Sequence, residues 1–120
     1  MGLVANILVC LVALIHIYFL VLEMFLWRTA VGRRIFGTDQ AFADQAAALA
    51  ANQGLYNGFL AAGLVWSLIA ADPVGFQAKV FFLICVIIAG IYGGITVTRR
   101  ILLFQALPAA VALALVLLAR

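Results

Sequence analysis

Four long stretches of this chain, residues 3–27, 45–71, 78–98 and 101–118, carry two charged side chains between them, Glu23 and Lys79. That near-absence of charge constrains the fold more than any motif does. Each stretch is close to or above the roughly 20 residues that cross about 30 Å of hydrocarbon. In lipid the backbone must satisfy its own hydrogen bonds, which leaves helices and closed barrels, and each of these segments reads as a helix. Composition agrees: 69% of the residues are hydrophobic, 9% are charged, and the mean hydropathy is +1.31. A soluble domain averages about 45–50% apolar and about 25% charged. A chain of 120 residues buries too small a fraction of its surface to hide that excess. The expected fold class is all-α, an integral membrane four-helix bundle built as a single domain of four spans.

Charge then orients the bundle. Arg28, Arg33 and Arg34 fall between spans one and two, and Arg99 and Arg100 between spans three and four, while the other side has Lys79 and Arg120. By the positive-inside rule both arginine-bearing loops are cytoplasmic and both termini face outward. The net charge of +3 therefore reads as topology and excludes a nucleic-acid footprint. The first span lacks a basic n-region and an A-x-A site and contains Glu23, so it reads as a retained span and not as a signal peptide. Thr38 or Asp39 can cap the second helix, which would then extend from Asp39 to Ala71, roughly 50 Å, and project into the cytoplasm. Asp72-Pro73 ends it, with residues 73–77 as a tight outer turn, and Thr98-Arg99-Arg100 is a short hairpin.

Into this apolar background the second span introduces Asn52-Gln53-Gly54-Leu55-Tyr56-Asn57-Gly58. Side-chain amides in hydrocarbon are costly unless something answers their hydrogen bonds, so the segment must face protein, water or a ligand. Residues three, four or seven apart share a helical face. Asn52 and Tyr56 make one stripe, Gln53 and Asn57 the next, and His16 and Glu23 share a stripe of the first helix. Depth brings Glu23, Asn52, Gln53, Tyr56, Arg99 and Arg100 to the cytoplasmic half, with His16 and Asn57 nearer the midplane. Glycines keep the polar arc accessible, either to a neighbouring helix or to a cavity.

Each of these residues also has a plainer reading. Glu23 near the interface can pair with Arg28 or Arg99, His16 can be a packed histidine bonded to a carbonyl, and Arg99 and Arg100 can be topology anchors. The ridges Gly54-x3-Gly58 and Gly90-x3-Gly94 let helices approach closely in lipid, within one chain or between chains. Cys10 and Cys85 lie inside apolar spans and read as membrane thiols, with no disulfide scaffold. A single histidine gives no metal-ligand cluster, so no metal is expected. No phosphate loop or nucleophilic triad is legible, and Gly90-x2-Gly93-Gly94 lies within a helix and not after a strand.

The segments Glu23-Met24-Phe25-Leu26-Trp27 and Ala51-Asn52-Gln53-Gly54-Leu55-Tyr56-Asn57-Gly58-Phe59-Leu60-Ala61-Ala62-Gly63-Leu64 resemble domain-of-unknown-function family 1304. That resemblance covers nearly the whole chain and implies a small bacterial inner-membrane protein with no established activity. The layout is also similar to the MAPEG membrane enzymes. It shares four helices, a cytoplasmic first loop, a long second helix with a polar stretch, and arginines near the cytoplasmic ends of helices three and four. That likeness implies a trimer with glutathione bound between subunits. It sets Asn52 near the family's second-helix asparagine and Arg99 or Arg100 near its catalytic arginine. The chain departs from the pattern where alanines and Leu49 precede Asn52 in place of an arginine, and where Tyr56 or Asn57 replaces a glutamate.

The leading functional expectation is a homo-oligomer that binds a small amphipathic or lipid-like molecule in a polar intramembrane pocket near the cytoplasmic side. Glu23, Asn52, Gln53, Tyr56, Asn57, Arg99 and His16 are its candidate ligand-binding residues. The catalytic alternative is a MAPEG-like transferase or isomerase. There Arg99 or Arg100 would stabilise an anion, Tyr56 or Glu23 would move a proton, and glutathione would be the sole candidate cofactor. The third expectation is an assembly subunit whose amides and glycines serve packing alone.

Overall fold

A computed structural model describes residues 2–120, and the described residues are all-α with no strand. Five α-helices follow in order: α1 (Gly2–Met24), α2 (Ala30–Phe36), α3 (Gln40–Ile69), α4 (Val74–Thr96) and α5 (Leu107–Leu118). A π-helical turn, Leu102–Ala106, leads directly into α5.

Two helices, α1 and α4, are long and apolar enough to cross a membrane. At 30 residues α3 exceeds both in length, but Asn52, Gln53 and Asn57 dilute its apolar character. The segment Leu102–Leu118 is apolar and shorter than a full span.

Capping sets where α3 begins. Asp39 Oδ1 accepts the Phe42 N–H at 2.8 Å, which satisfies one of the donors that a helix start leaves open. At about 1.5 Å per residue the helix is about 45 Å long. Asp72 does similar work for α4, accepting the Phe76 N–H at 3.1 Å. Residues 73–77, expected as a tight turn, are instead the N-cap and first turn of α4. Pro73 has no N–H to lose at a helix start, so the helix begins as soon as its fixed φ allows.

The chain divides into two compact units, one formed by residues up to Ile15 together with Leu60–Arg120, the other by His16–Phe59. The core of the first is a set of small and branched side chains at helical spacing. It draws Ala5, Val9 and Val12 from α1, Leu64 from α3, Leu83 and Val86 from α4, and Ala109, Ala112 and Val116 from α5. Gly90 is buried where α4 meets the π turn, and a Cβ there would stand 2.6 Å from Ala106 N. The Gly90-x3-Gly94 ridge thus packs within the chain. Ser67 is buried in α3 and donates to the Leu64 carbonyl at 2.5 Å, so its hydroxyl needs no other partner in an apolar setting.

The π turn follows from Pro108. A proline has no N–H and its ring crowds the carbonyl four residues back, here that of Phe104. The turn widens by one residue, and the Leu107 N–H bonds to the Leu102 carbonyl, five residues back.

In the second unit the expected continuation of the first span to Trp27 gives way to a chain reversal. After Met24 the Leu26 N–H reaches back to the Val21 carbonyl at 3.1 Å, and α2 starts at a Thr29 cap whose Oγ1 accepts from Gly32 N. Gly37 ends α2 at φ 68, the left-handed conformation that glycine adopts without a Cβ penalty.

Candidate functional site

The polar residues of the second unit are arranged by two glycines. At Gly54 a Cβ would stand 2.6 Å from Met24 Cγ and 3.1 Å from Glu23 Cβ, and at Gly58 a Cβ would stand 2.7 Å from Leu20 Cδ1. Having none, both let α3 lie close against α1. The Asn52–Gly58 run therefore presents its glycines to α1, an intrachain packing ridge.

That approach joins two of the expected site residues. Asn57 Nδ2 donates to Glu23 Oε1 at 2.5 Å, across 34 positions of sequence. Asn57 is 8% exposed, so its amide would otherwise be a costly buried polar group. Glu23 takes this amide and not Arg28, which pairs instead with Asp44 at 3.8 Å on an exposed surface.

Helical phase separates the rest. Ala50, Gly54 and Asn57 lie on the buried face of α3, whereas Asn52, Gln53 and Tyr56 stand exposed on other sides of the same helix. The Tyr56 ring meets Phe59 edge-on, with centroids 5.7 Å apart. The expected polar arc is thus divided, one amide turned inward and two outward with a phenol beside them. His16 is fully buried in α1 and is engaged by a partner. Arg99 and Arg100 are exposed and belong to the first unit, in the link where the Arg100 N–H reaches Thr98 Oγ1 at 3.4 Å. Among the described residues no group of three or more His, Cys, Asp or Glu side chains could hold a metal. Cys10 and Cys85 are free thiols, Cys10 on the exposed side of α1.

Two features escaped the sequence reading. One is the α1–α3 corner: Trp27 Nε1 donates to the Ala43 carbonyl at 2.9 Å, and its ring lies 4.9 Å from that of Phe36. The other belongs to the first unit, a cavity of about 420 Å³ bordered by Asn6, Asp72, Lys79 and Arg120. Antiparallel succession of the helices brings these positions to one end of that unit. The signal available in sequence was that Lys79 and Arg120 are the two cations set apart from the arginine loops.

The profile of the family described as a protein of unknown function, DUF1304, matches residues 10–117. The chain belongs to this family. The matched stretch includes Glu23, the Asn52–Gly58 run and the Arg99-Arg100 link, so every candidate residue lies within the DUF1304 region. The uncharacterized protein YpaA of Lactococcus lactis subsp. lactis (strain IL1403) is 30% identical over 109 residues, covering 88% of this chain and 89% of that protein. No solved structure matches the chain.

Proposed function

We propose that this DUF1304 protein is a four-span inner-membrane protein with both termini outside, and that its copies assemble around the outward polar face of α3 to bind a small amphipathic, lipid-like molecule. The membrane reading is supported by how little of the apolar surface is covered. In the most apolar windows of α1 and α4, 28% is buried, whereas a core helix of a soluble protein is buried nearly all round. Ile69 and Ile95 are each 77% exposed. In this reading α1 and α4 are full spans, α3 crosses and extends into the cytoplasm, and the π turn with α5 forms the fourth crossing.

One observation carries the functional part. Within a single stretch of α3, Asn57 is bonded to α1 while Asn52, Gln53 and Tyr56 stand uncovered. An amide left without partners in hydrocarbon costs on the order of 4–8 kcal/mol on the cyclohexane scale. Those groups therefore require polar company from outside the chain. A second copy, and in the trimer reading a third, supplies protein donors. An amphipathic molecule with its polar end against Asn52 and Gln53 satisfies the remainder and leaves its apolar part beside Phe59.

Tyr56 favours a second reading, a MAPEG-like transferase or isomerase, because its phenol is exposed on the same face as Asn52. In that case glutathione is the ligand.

Native mass spectrometry of gently extracted protein tests both readings by giving stoichiometry and bound mass together. The expected result is an oligomer carrying a lipid-like mass that is lost on replacing Asn52 and Gln53 by leucine. An oligomer that carries no added mass, with or without those substitutions, leaves the amides an assembly role and refutes the ligand. Bound glutathione selects the enzymatic reading.

A further inference from the structure

The α2 segment, which the proposed binding face does not use, is a short helix with three distinct sides. One side faces its own unit. Gly32 sits so close to the Leu26 and Trp27 carbonyls that a Cβ would collide with the Leu26 backbone oxygen, and Phe36 stacks on Trp27 at 4.9 Å. A second side is apolar and open: Val31 and Ile35, one turn apart, are 46% and 42% exposed. The third is cationic. Arg34 is exposed, and Arg33 is held by its own Nε bond to the Arg28 carbonyl at 3.3 Å.

The helix is also fixed at both ends. Thr29 caps its start and donates its hydroxyl to the Leu26 carbonyl at 2.6 Å, and Gly37 stops it. A loop serving only to carry topology charges requires none of this. Positive-inside charges act through their number and position along the chain, not through a preset geometry. Here an apolar pair and the guanidinium side chains are presented together on about two turns of capped helix. That pairing suits a surface whose apolar and anionic parts lie side by side, which is the boundary between acyl chains and headgroups.

We infer that α2 is a lipid-binding element. It lies in the membrane surface with Val31 and Ile35 among the acyl chains, and Arg33 and Arg34 clasp the phosphate of an anionic phospholipid. The adjoining apolar pair is what commits the site to lipid and not to free phosphate. Guanidinium groups suit the task because their planar fork meets two phosphate oxygens at once. The inference rests on the membrane reading above and goes beyond it by assigning a headgroup preference to a defined segment.

Trp27, stacked on Phe36 of α2, is a built-in reporter. The other tryptophan, Trp66, is 52% exposed in α3 and replaceable by phenylalanine. The Trp66→Phe protein is reconstituted into phosphatidylcholine vesicles containing a minor fraction of either brominated phosphatidylglycerol or brominated phosphatidylcholine, with bromines near the headgroup. Enrichment of the anionic lipid near Trp27 is expected to be about fivefold for each engaged arginine. It should vanish in the Arg33→Gln, Arg34→Gln double variant and largely persist in the lysine counterpart. Equal quenching by the two lipids, or enrichment that survives the glutamine substitutions, overturns the assignment while leaving the membrane reading intact. Absence of quenching by either lipid overturns the membrane reading and the assignment with it.

Discussion

The Asn57–Glu23 bond is the side-chain link on which the candidate site turns, and its strength can be bounded before it is measured. Replacing Asn57 by leucine removes the Nδ2 donor that meets Glu23 Oε1 at 2.5 Å. Hydrogen bonds between membrane helices average about 0.6 kcal/mol and reach about 1.7. Bonds to charged groups in proteins lie around 1.5–3 kcal/mol. The contact is short and its donor is 8% exposed, so the value belongs near the top of the membrane range, about 1.5 kcal/mol. Leucine regains about 0.5 kcal/mol by its own preference for the bilayer, which would mask part of the loss in a single variant. A double-mutant cycle avoids that. With Asn57→Leu, Glu23→Leu and the combined variant, unfolding in mixed micelles with increasing sodium dodecyl sulfate, followed by tryptophan fluorescence, yields the coupling energy. The expected coupling is about 1.5 kcal/mol in magnitude, the double variant losing that much less than the two single variants combined, because each single substitution strands the other partner. A coupling within the roughly 0.3–0.5 kcal/mol that independent sites show would refute the reasoning.

The other predictions concern packing and surface charge. Gly90→Ala should destabilise by about 1–2 kcal/mol in the same assay, because its new methyl meets the Ala106 backbone and overpacking outweighs the helix-propensity gain of about 1 kcal/mol. Gly93→Ala should be neutral or stabilising, since its Cβ meets the Ile101 side chain at 3.1 Å, a neighbour that can yield. Trp27→Phe keeps an aromatic ring beside Phe36 but loses the bond to the Ala43 carbonyl. It should cost about 1 kcal/mol and speed amide exchange in the first turns of α3. Arg28→Ala should change stability by less than about 1 kcal/mol, because its pair with Asp44 is solvent-exposed at 63% and 51%.

Where the sequence was legible, a local rule and a long-range demand pointed the same way. Asp39 was readable as a cap, and the breaker-free run behind it gave α3 its length. α3 ends at Ile69, two residues short of the Ala71 that Asp72-Pro73 implied, and the same proline also opens α4, a dual use that no breaker rule distinguishes. The α2 segment was hidden because its arginines carry an obvious topological meaning, which drew attention from Thr29 and Gly37 as start and stop. The π turn was hidden inside a mostly apolar run, where Pro108 reads as an ordinary break within a span and Gln105 is the single polar side chain near it. At the candidate site, helical phase kept Asn52 and Tyr56 on one exposed stripe, but it paired Gln53 with Asn57, which the structure separates, Asn57 buried and Gln53 exposed. It could not say which stripe would face α1, since that depends on where Gly54 and Gly58 admit the other helix. The Asn57–Glu23 contact is therefore a consequence of two missing side chains as much as of the polar ones present.

The π turn at Leu102–Ala106 has a consequence for the length of the chain. It amounts to a one-residue insertion absorbed by a helix, since five residues occupy the arc that an α-helix closes with four. Removing one residue from that turn, together with Pro108→Ala, would leave a regular helix whose Ala109, Ala112 and Val116 still face the core. Either change alone sets spacing against hydrogen-bond ladder: an α-helical turn that retains all five residues rotates that stripe by about 100°. The residue count between Arg100 and Ala109 is thus tied to the proline at 108, and relatives shorter by one residue there are expected to lack it.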